Sequence, residues 1–540
     1  MVRMINSDSR FFNVKEIIKT TTDLSRMDTD KINPFTFSVF LRVLPWFYYV
    51  FVPAYCLLPT AVYAQGLEPL HFPLFGNRSA IWIIAQFHIL FASFILGVPL
   101  FVVIAEYLYM RKGDYRYERL AKDIARVMAI AYSITALTGG TFAFLLFGLY
   151  PDFSYHIINQ FAPLWTLFYP GLVIIETILM YLYYFSWEPL KERKGIHLSI
   201  GIFLNIVGIL TLFNMDAIAS YMNTPPRHLI NPTLWENVYN YTWMPLNIHR
   251  VVGNLTYGGY MVGMMGAFLY VWSDNKDDRA YYDWMGYIGN SIGVGAMLVL
   301  PIMGYIYAKE FYRYAAELGT YMMSDRLSMY FEAQAIIVGL MFLASNYYIY
   351  LSMKRIEGVA GYAPIVRFGF IVVFFSACIW FIPRHYFATM VPEEWMYEGM
   401  TKGEFLKTTE LPSHLGFLAL MKAKNTAAVL LVLVTLLNYI IYRRAIKRGR
   451  IEWGKVDFRA QYVLIFLGFS DIWLMNLMGA VRALVRKDYH VYLLLKDTTL
   501  EAYTPTLAYA SSLTTAITLS FFSIFVFIVW LGLRFGKEKG

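Results

Sequence analysis

Residues 85–110 read AQFHILFASFILGVPLFVVIAEYLYM, an apolar run broken by one imidazole, His88, and one carboxylate, Glu106. A run of this length spans the hydrocarbon core of a bilayer as a helix. The 18 positions between His88 and Glu106 amount to about five turns, so both side chains share one helix face near opposite membrane surfaces. Ionisable groups are costly in lipid, so the pair points to a bound cofactor or a proton route. A packed, hydrogen-bonded His with a Glu that reaches the far interface satisfies the same pattern.

The rest of the chain extends this reading. Of 540 residues, 58% are hydrophobic and 15% charged, well below the roughly 25% charged of soluble domains. Twelve apolar stretches stand out, near 37–64, 79–110, 122–149, 161–187, 198–221, 245–272, 284–308, 329–352, 368–390, 424–442, 461–483 and 506–533. The expected fold is therefore all-α: a polytopic integral membrane helical bundle of about 12 transmembrane helices, since helices satisfy their own backbone in lipid. Residues 1–36 read as a cytoplasmic arm and 37–64, ending in AVYAQG, as a retained anchor helix. A helical core at 65–390, an outer loop at 391–423 and C-terminal helices at 424–540 complete the division.

The net charge of +9 reports topology, and no nucleic-acid partner is expected. Basic residues crowd alternate connections: Arg111, Lys112, Arg116 and Arg119, then Lys191, Arg193 and Lys194, then Lys276 and Arg279, then Lys354 and Arg355, then Arg443 to Arg450. The connections between them are poorer; 150–160 has no basic residue. The positive-inside rule places the basic loops and both termini in the cytoplasm, and the lipid bilayer is the first partner. Cys56 and Cys378 lie in apolar runs, and no C-x-x-C-H is present, so no c-type haem is attached.

Given this topology, His88, His249 and His385 fall toward the outer surface, with Arg384 and Arg482 near them. Imidazole ligates haem iron and guanidinium forks suit propionates. Gly253, Gly258, Gly259, Gly263 and Gly266 follow His249 at helical spacing; they suit approach to a flat macrocycle or close helix packing equally. His197 opens a helix on the cytoplasmic side and reads as structural. Glu176 and Asp216 lie within apolar stretches, either as a proton relay or paired with a buried Arg or Tyr.

The stretch from QFHILFASFILGVPLFVVIAEYLYM into RKGDYRYERLAKDIAR resembles subunit I of cytochrome bd-type quinol oxidases. In that family a haem-ligating His is followed by a Gly and an acid at the spacing of His88, Gly97 and Glu106. The resemblance continues through ALTGGTFAFLLFG, VIIETILMYLYYFSWEPL with Glu176 and Trp187, GIHLSIGIFLNIVGILTL and IASYMNTPP. In NIHRVVGNLTYGGYMVG, His249 matches the low-spin haem b histidine. It covers about 79–345, and more weakly the tail from Met475 to Ala510.

The resemblance implies a bd subunit I-like core with haem b, ligated by His88 and His249. His385, Arg384 and Arg482 would border the cofactor, and Glu106 and Glu176 would carry protons. It implies a quinol or quinone substrate in the cytoplasmic membrane of a prokaryote. A second membrane subunit and an outer-face electron-transfer subunit, such as a multihaem cytochrome c, are the implied partners.

The departures narrow this. An aromatic, near Phe168, replaces an acid expected before Glu176. Gln334 and Ile336 stand near the expected Arg and Met of the low-spin site. Gly479 replaces the Glu of a W-x-x-x-E-x-x-R pattern whose Arg is Arg482, and the quinol loop shrinks to KEFYRYAAELGTYMMSDR. Haem d is not supported. The chain is expected to pass electrons between the quinone pool and a partner redox subunit. A true quinol:oxygen oxidoreductase, an ion-coupled transporter with helices broken at Pro170 and Pro301, and a bare scaffold are the alternatives.

Overall fold

The computed structural model describes residues 68–73, 76–226, 231–323, 327–383, 420–498 and 507–535. The N-terminal arm, the anchor at 37–64 and all but the last four residues of the loop at 391–423 lie outside the described residues, as does Cys56.

Thirteen principal helices carry the fold. They are α1 (Gly76–Lys112), α2 (Tyr115–Leu149), α3 (Pro151–Pro163), α4 (Tyr169–Phe185), α5 (Lys194–Asn223), α6 (Trp243–Trp272) and α7 (Lys276–Met297). There follow α8 (Leu300–Tyr314), α9 (Ser328–Ser352), α10 (Ala363–Phe381), α11 (Met421–Arg448), α12 (Phe458–Leu484) and α13 (Leu507–Val529). Two short antiparallel ladders join loops: β1 (Ile356–Glu357) with β2 (Arg450–Ile451), and β3 (Tyr489–Val491) with β4 (Leu495–Lys496).

Among the described residues ten helical spans are long and apolar enough to cross a membrane, and the chain is a multi-span membrane protein. The expected dozen is thus not reached. One expected stretch is outside the described residues, and α6 is too rich in Gly, Tyr and Asn to qualify on hydropathy. Yet α6 is the centre of the bundle, packed by α7, α1, α12, α8 and α5. Its polar positions meet helices instead of lipid, which is why hydropathy undervalues it.

The glycines explain how closely α6 is held. A Cβ at Gly259, Gly263 or Gly266 would meet the backbone of Gly293, Gly289 or Gly286 on α7. On another side Gly258 faces Gly97 of α1, whose own Cβ would strike the Asn254 carbonyl. Of the two uses the sequence leaves open for these glycines, the structure shows helix–helix packing.

The segment 150–160, expected to be a connection, is helical. Pro151 starts α3, and Phe161 (φ −127°, ψ 24°) kinks it before a π-turn at Leu164–Phe168. Pro170 then sits in the first turn of α4 and Pro301 in that of α8, so both prolines open new helical segments.

The basic connections gather at one end of the bundle. There Arg119 pairs with Asp278 at 2.5 Å, Lys194 with Glu118 at 2.8 Å and Lys122 with Glu188 at 3.3 Å. At the opposite end Arg78 pairs with Asp497 at 2.8 Å, and the Tyr492 amide donates to the Met222 carbonyl at 2.9 Å.

Candidate functional site

At the opposite end, α5, α6, α8 and α12 converge on a buried polar layer. Asp216 of α5, fully buried, pairs with Arg250 of α6. The sequence left Asp216 between a relay and an ion pair, and the structure shows the pair. His249, the neighbour of Arg250, stacks on Tyr307 of α8 at 5.8 Å between centroids. Its Nδ1 is buried without a hydrogen-bond partner. Both amide atoms of Asn214 and Asn247 are also unpaired there, and Asn223 reaches toward the Tyr307 hydroxyl. Buried polar groups are nearly always satisfied, so this concentration of unmet donors and acceptors makes the layer a candidate ligand-binding region.

The charge of this layer is positive. Arg482 lies within electrostatic reach of Arg250, Asp216 and Tyr307, and makes no hydrogen bond or ion pair among the described residues. Four residues on, just past the end of α12, Arg486 donates to the His490 carbonyl at 2.9 Å while its Nε stays unpaired. Burial, with the Arg482 and Arg78 guanidiniums, pushes Arg486 down to about 9. It is still charged at neutral pH. Stacked cations with too few acids suit carboxylate groups of a bound ligand.

His88 has a different seat, deeper along α1. Its Nδ1 donates to the Thr135 carbonyl of α2 at 3.2 Å, and the Thr138 hydroxyl lies 3.4 Å away. A carbonyl only accepts, so the proton is on Nδ1 and Nε2 keeps its lone pair. That is the arrangement that orients a metal-ligating imidazole. Gly139 makes the space, since a Cβ there would come 2.8 Å from His88 Cε1. Arg250 is within electrostatic reach of both His88 and His249.

Haem fits these residues. Two imidazoles each keep a ring nitrogen with no hydrogen-bond partner among the described residues, and the Arg482 guanidinium, without a hydrogen bond or ion pair among them, borders the His249 region. Ile336, near the expected Met of the low-spin site, carries no atom that can ligate iron and is 40% exposed. At Gly479 a Cβ would run into the Gln86 side chain of α1. The Gln86 amide therefore fills the place that a Glu at 479 would take. Arg384 and His385 lie outside the described residues.

At the basic end Glu106 is fully engaged. Oε2 accepts from the Tyr183 hydroxyl at 2.8 Å, and Oε1 lies 2.7 Å from His197 Nδ1. His197 Nε2 donates to the Tyr183 carbonyl at 2.9 Å. Glu106 and His197 therefore hold one proton between them at Nδ1–Oε1, beside a surface cleft lined by Glu118, Trp187 and Lys194. Glu176, deeper in, accepts from Thr211 of α5 at 3.0 Å. The sequence reading missed His197 as the partner of Glu106, and it missed Arg250 and Gln86. Only the adjacency of Arg250 to His249 was visible in the chain.

The fold is a multi-span helical bundle with buried histidines and guanidiniums gathered toward one end. Residues 77–318 match the model of the family described as cytochrome bd terminal oxidase subunit I. A curated relative, "Putative cytochrome bd menaquinol oxidase subunit I" of Bacillus subtilis (strain 168), is 22% identical over 249 residues, 44% of this chain. The match spans about half, 55%, of that relative's length. The bd oxidase structure from Geobacillus thermodenitrificans aligns with a TM-score of 0.47 at 13% identity, over 86% of this chain and 98% of that one.

Proposed function

We propose that this chain is the haem b-binding membrane subunit of a bd-like, quinol-linked electron-transfer complex in the cytoplasmic membrane of a prokaryote. Its polar layer would face outward and exchange electrons with a partner redox subunit, with a second membrane subunit alongside. The observation that carries the reading is the pair of imidazoles, His88 with Nε2 left open by the Thr135 bond and His249 with an unpaired Nδ1, under cations that lack acids. His88 and His249 would hold haem, and Arg482 and Arg486 would meet its propionates. When bound, haem supplies one-electron transfer.

The chain's own groups handle protons. The Glu106–His197 dyad takes a proton at the basic, cytoplasmic end, and Glu176 with Thr211 provides a second holding point further in. Oxygen reduction is not part of this reading, because Gln86 occupies the place of the missing Glu at 479 and Ile336 offers no ligand. Pyridine haemochrome analysis of the purified protein, with a dithionite-reduced spectrum, tests the reading. A b-type α band, lost stepwise in His88→Ala and His249→Ala, is expected; its absence in the native chain overturns it.

A further inference from the structure

We propose that Asp471 is a separate intramembrane proton-binding site. Tyr257 and Asn254, in one row of α6 with Arg250, lie between it and the Asp216–Arg250 pair, away from Glu106 and Glu176. Asp471 sits 13 residues into α12, about 20 Å along it, near the middle of the membrane. It is 3% exposed, and its Oδ2 has no hydrogen-bond partner.

Among the described residues every other acid buried in the spans has found one: Asp216 has Arg250, Asp283 has Arg355, Asp123 has Tyr281, Glu118 has Lys194, Glu106 has His197 and Glu176 has Thr211. Asp471 is faced from α6 by Tyr257 and Tyr260. Among the described residues α1, α7, α9 and α13, which also pack near it, present no charged group to it. A lone carboxylate in such surroundings is too costly to persist, so the resting group is the acid, holding a proton.

The surroundings also give the proton a direction. Tyr257 (fully buried) and Asn254 (3% exposed) each keep a polar atom unpaired, the hydroxyl and Nδ2. With Arg250 they form a stripe on α6 at intervals of three and four residues, one side-chain row leading to Asp216. Toward the basic end the way is closed. Gly468 is packed by Met264, and Leu464 fills the space over Gly286 before Gln461 is reached. The Tyr260 hydroxyl is turned to Met297 Sδ at 3.2 Å and Ser345 at 3.3 Å. Asp471 therefore exchanges its proton with the opposite end. Positive charge arriving in that layer favours the Asp471 carboxylate, so the acid releases H⁺ past Tyr257 to water at the opposite surface, and it takes H⁺ back from that water when the charge leaves. This inference does not depend on haem as the ligand.

Infrared spectroscopy of the full-length protein in lipid tests it, through the C=O stretch of protonated carboxyl groups. Wild type minus Asp471→Asn should show one such band at neutral pH, and Asp471→Glu should shift the band while keeping it. Tyr257→Phe should slow its exchange in D2O several-fold, while Glu176→Gln removes a different band. Loss of no band in Asp471→Asn, or exchange unchanged in Tyr257→Phe, would overturn the proposal. Size-exclusion profiles matching wild type establish that each variant is folded.

Discussion

Gly139 illustrates how much of the His88 site is set by a residue with no side chain. The imidazole lies against α2 where any Cβ would come 2.8 Å from its Cε1, and its Nδ1 must stay with the Thr135 carbonyl. Gly139→Val should therefore push the ring off this bond and free Nδ1 to compete with Nε2 as the basic nitrogen. The expected outcome is loss of about one haem equivalent per chain in pyridine haemochrome titration, with the His249-dependent component retained. Full haem content in Gly139→Val would show that the Thr135 bond does not orient the ring. His88, His249, Glu106 and Arg482 were legible in the sequence because ionisable groups are conspicuous inside apolar runs. Their partners were not. His197 is 91 residues from Glu106 and Asp216 is 34 from Arg250. Pairings between helices depend on rotation and depth, which a hydrophobic pattern does not record. Gln86 was silent for another reason: a neutral amide has no conspicuous cost until the structure shows what it fills.

Two helices at the basic end start with the same device. Asp114 precedes α2 in GDYR, and Asp457 precedes α12 in VDFR. Each carboxylate accepts from the backbone amide two residues on, Arg116 at 3.0 Å and Arg459 at 2.9 Å, and also grips that residue's guanidinium. The Arg side-chain bonds hold both carboxyls below the ordinary aspartate value of 3.8. A depressed folded pKa means that the contribution is complete above the unfolded value and fades as pH falls through the folded one. Asp457→Ala should thus cost about 1 kcal/mol at pH 7. The gap from wild type should narrow only below about pH 4. Thermal unfolding in detergent at a series of pH values checks this, and a gap that closes between pH 5 and 7 would contradict it. Helix existence was legible at this scale wherever apolar length decided it. The kinked α3 was not, because its mixed polar sequence carries no lipid-facing run. The central α6 was legible from its apolar stretch, but its glycines became readable as packing residues only once α7 and α1 were seen against them.

Across the whole molecule, one buried charge pair ties the C-terminal helices to the stretch that matches the bd subunit I family. Arg355, at the end of α9 and 1% exposed, pairs with Asp283 of α7. Its Nε donates to the Tyr442 hydroxyl of α11 at 2.8 Å, and its guanidinium lies 4.8 Å from the Trp453 ring centroid. Asp283 in turn accepts from the Gly454 amide at 3.0 Å and is approached by Gln461 of α12 at 3.5 Å. The Arg355 carbonyl receives the Glu452 amide at 2.9 Å beside the β1–β2 ladder. Only Asp283 falls within residues 77–318, so the pair fastens α9, α11 and α12 onto α7. Removing one partner leaves an uncompensated charge, which typically costs 3–5 kcal/mol, whereas replacing both with apolar groups is often neutral. Asp283→Leu alone should lower the temperature of monodisperse size-exclusion recovery sharply. Asp283→Leu combined with Arg355→Met should recover most of the loss, although the Tyr442 hydroxyl and Gly454 amide then lose their partner. Equal losses in the single and double variants would mean that the surrounding hydrogen bonds, and not the charge pair, hold the two parts together.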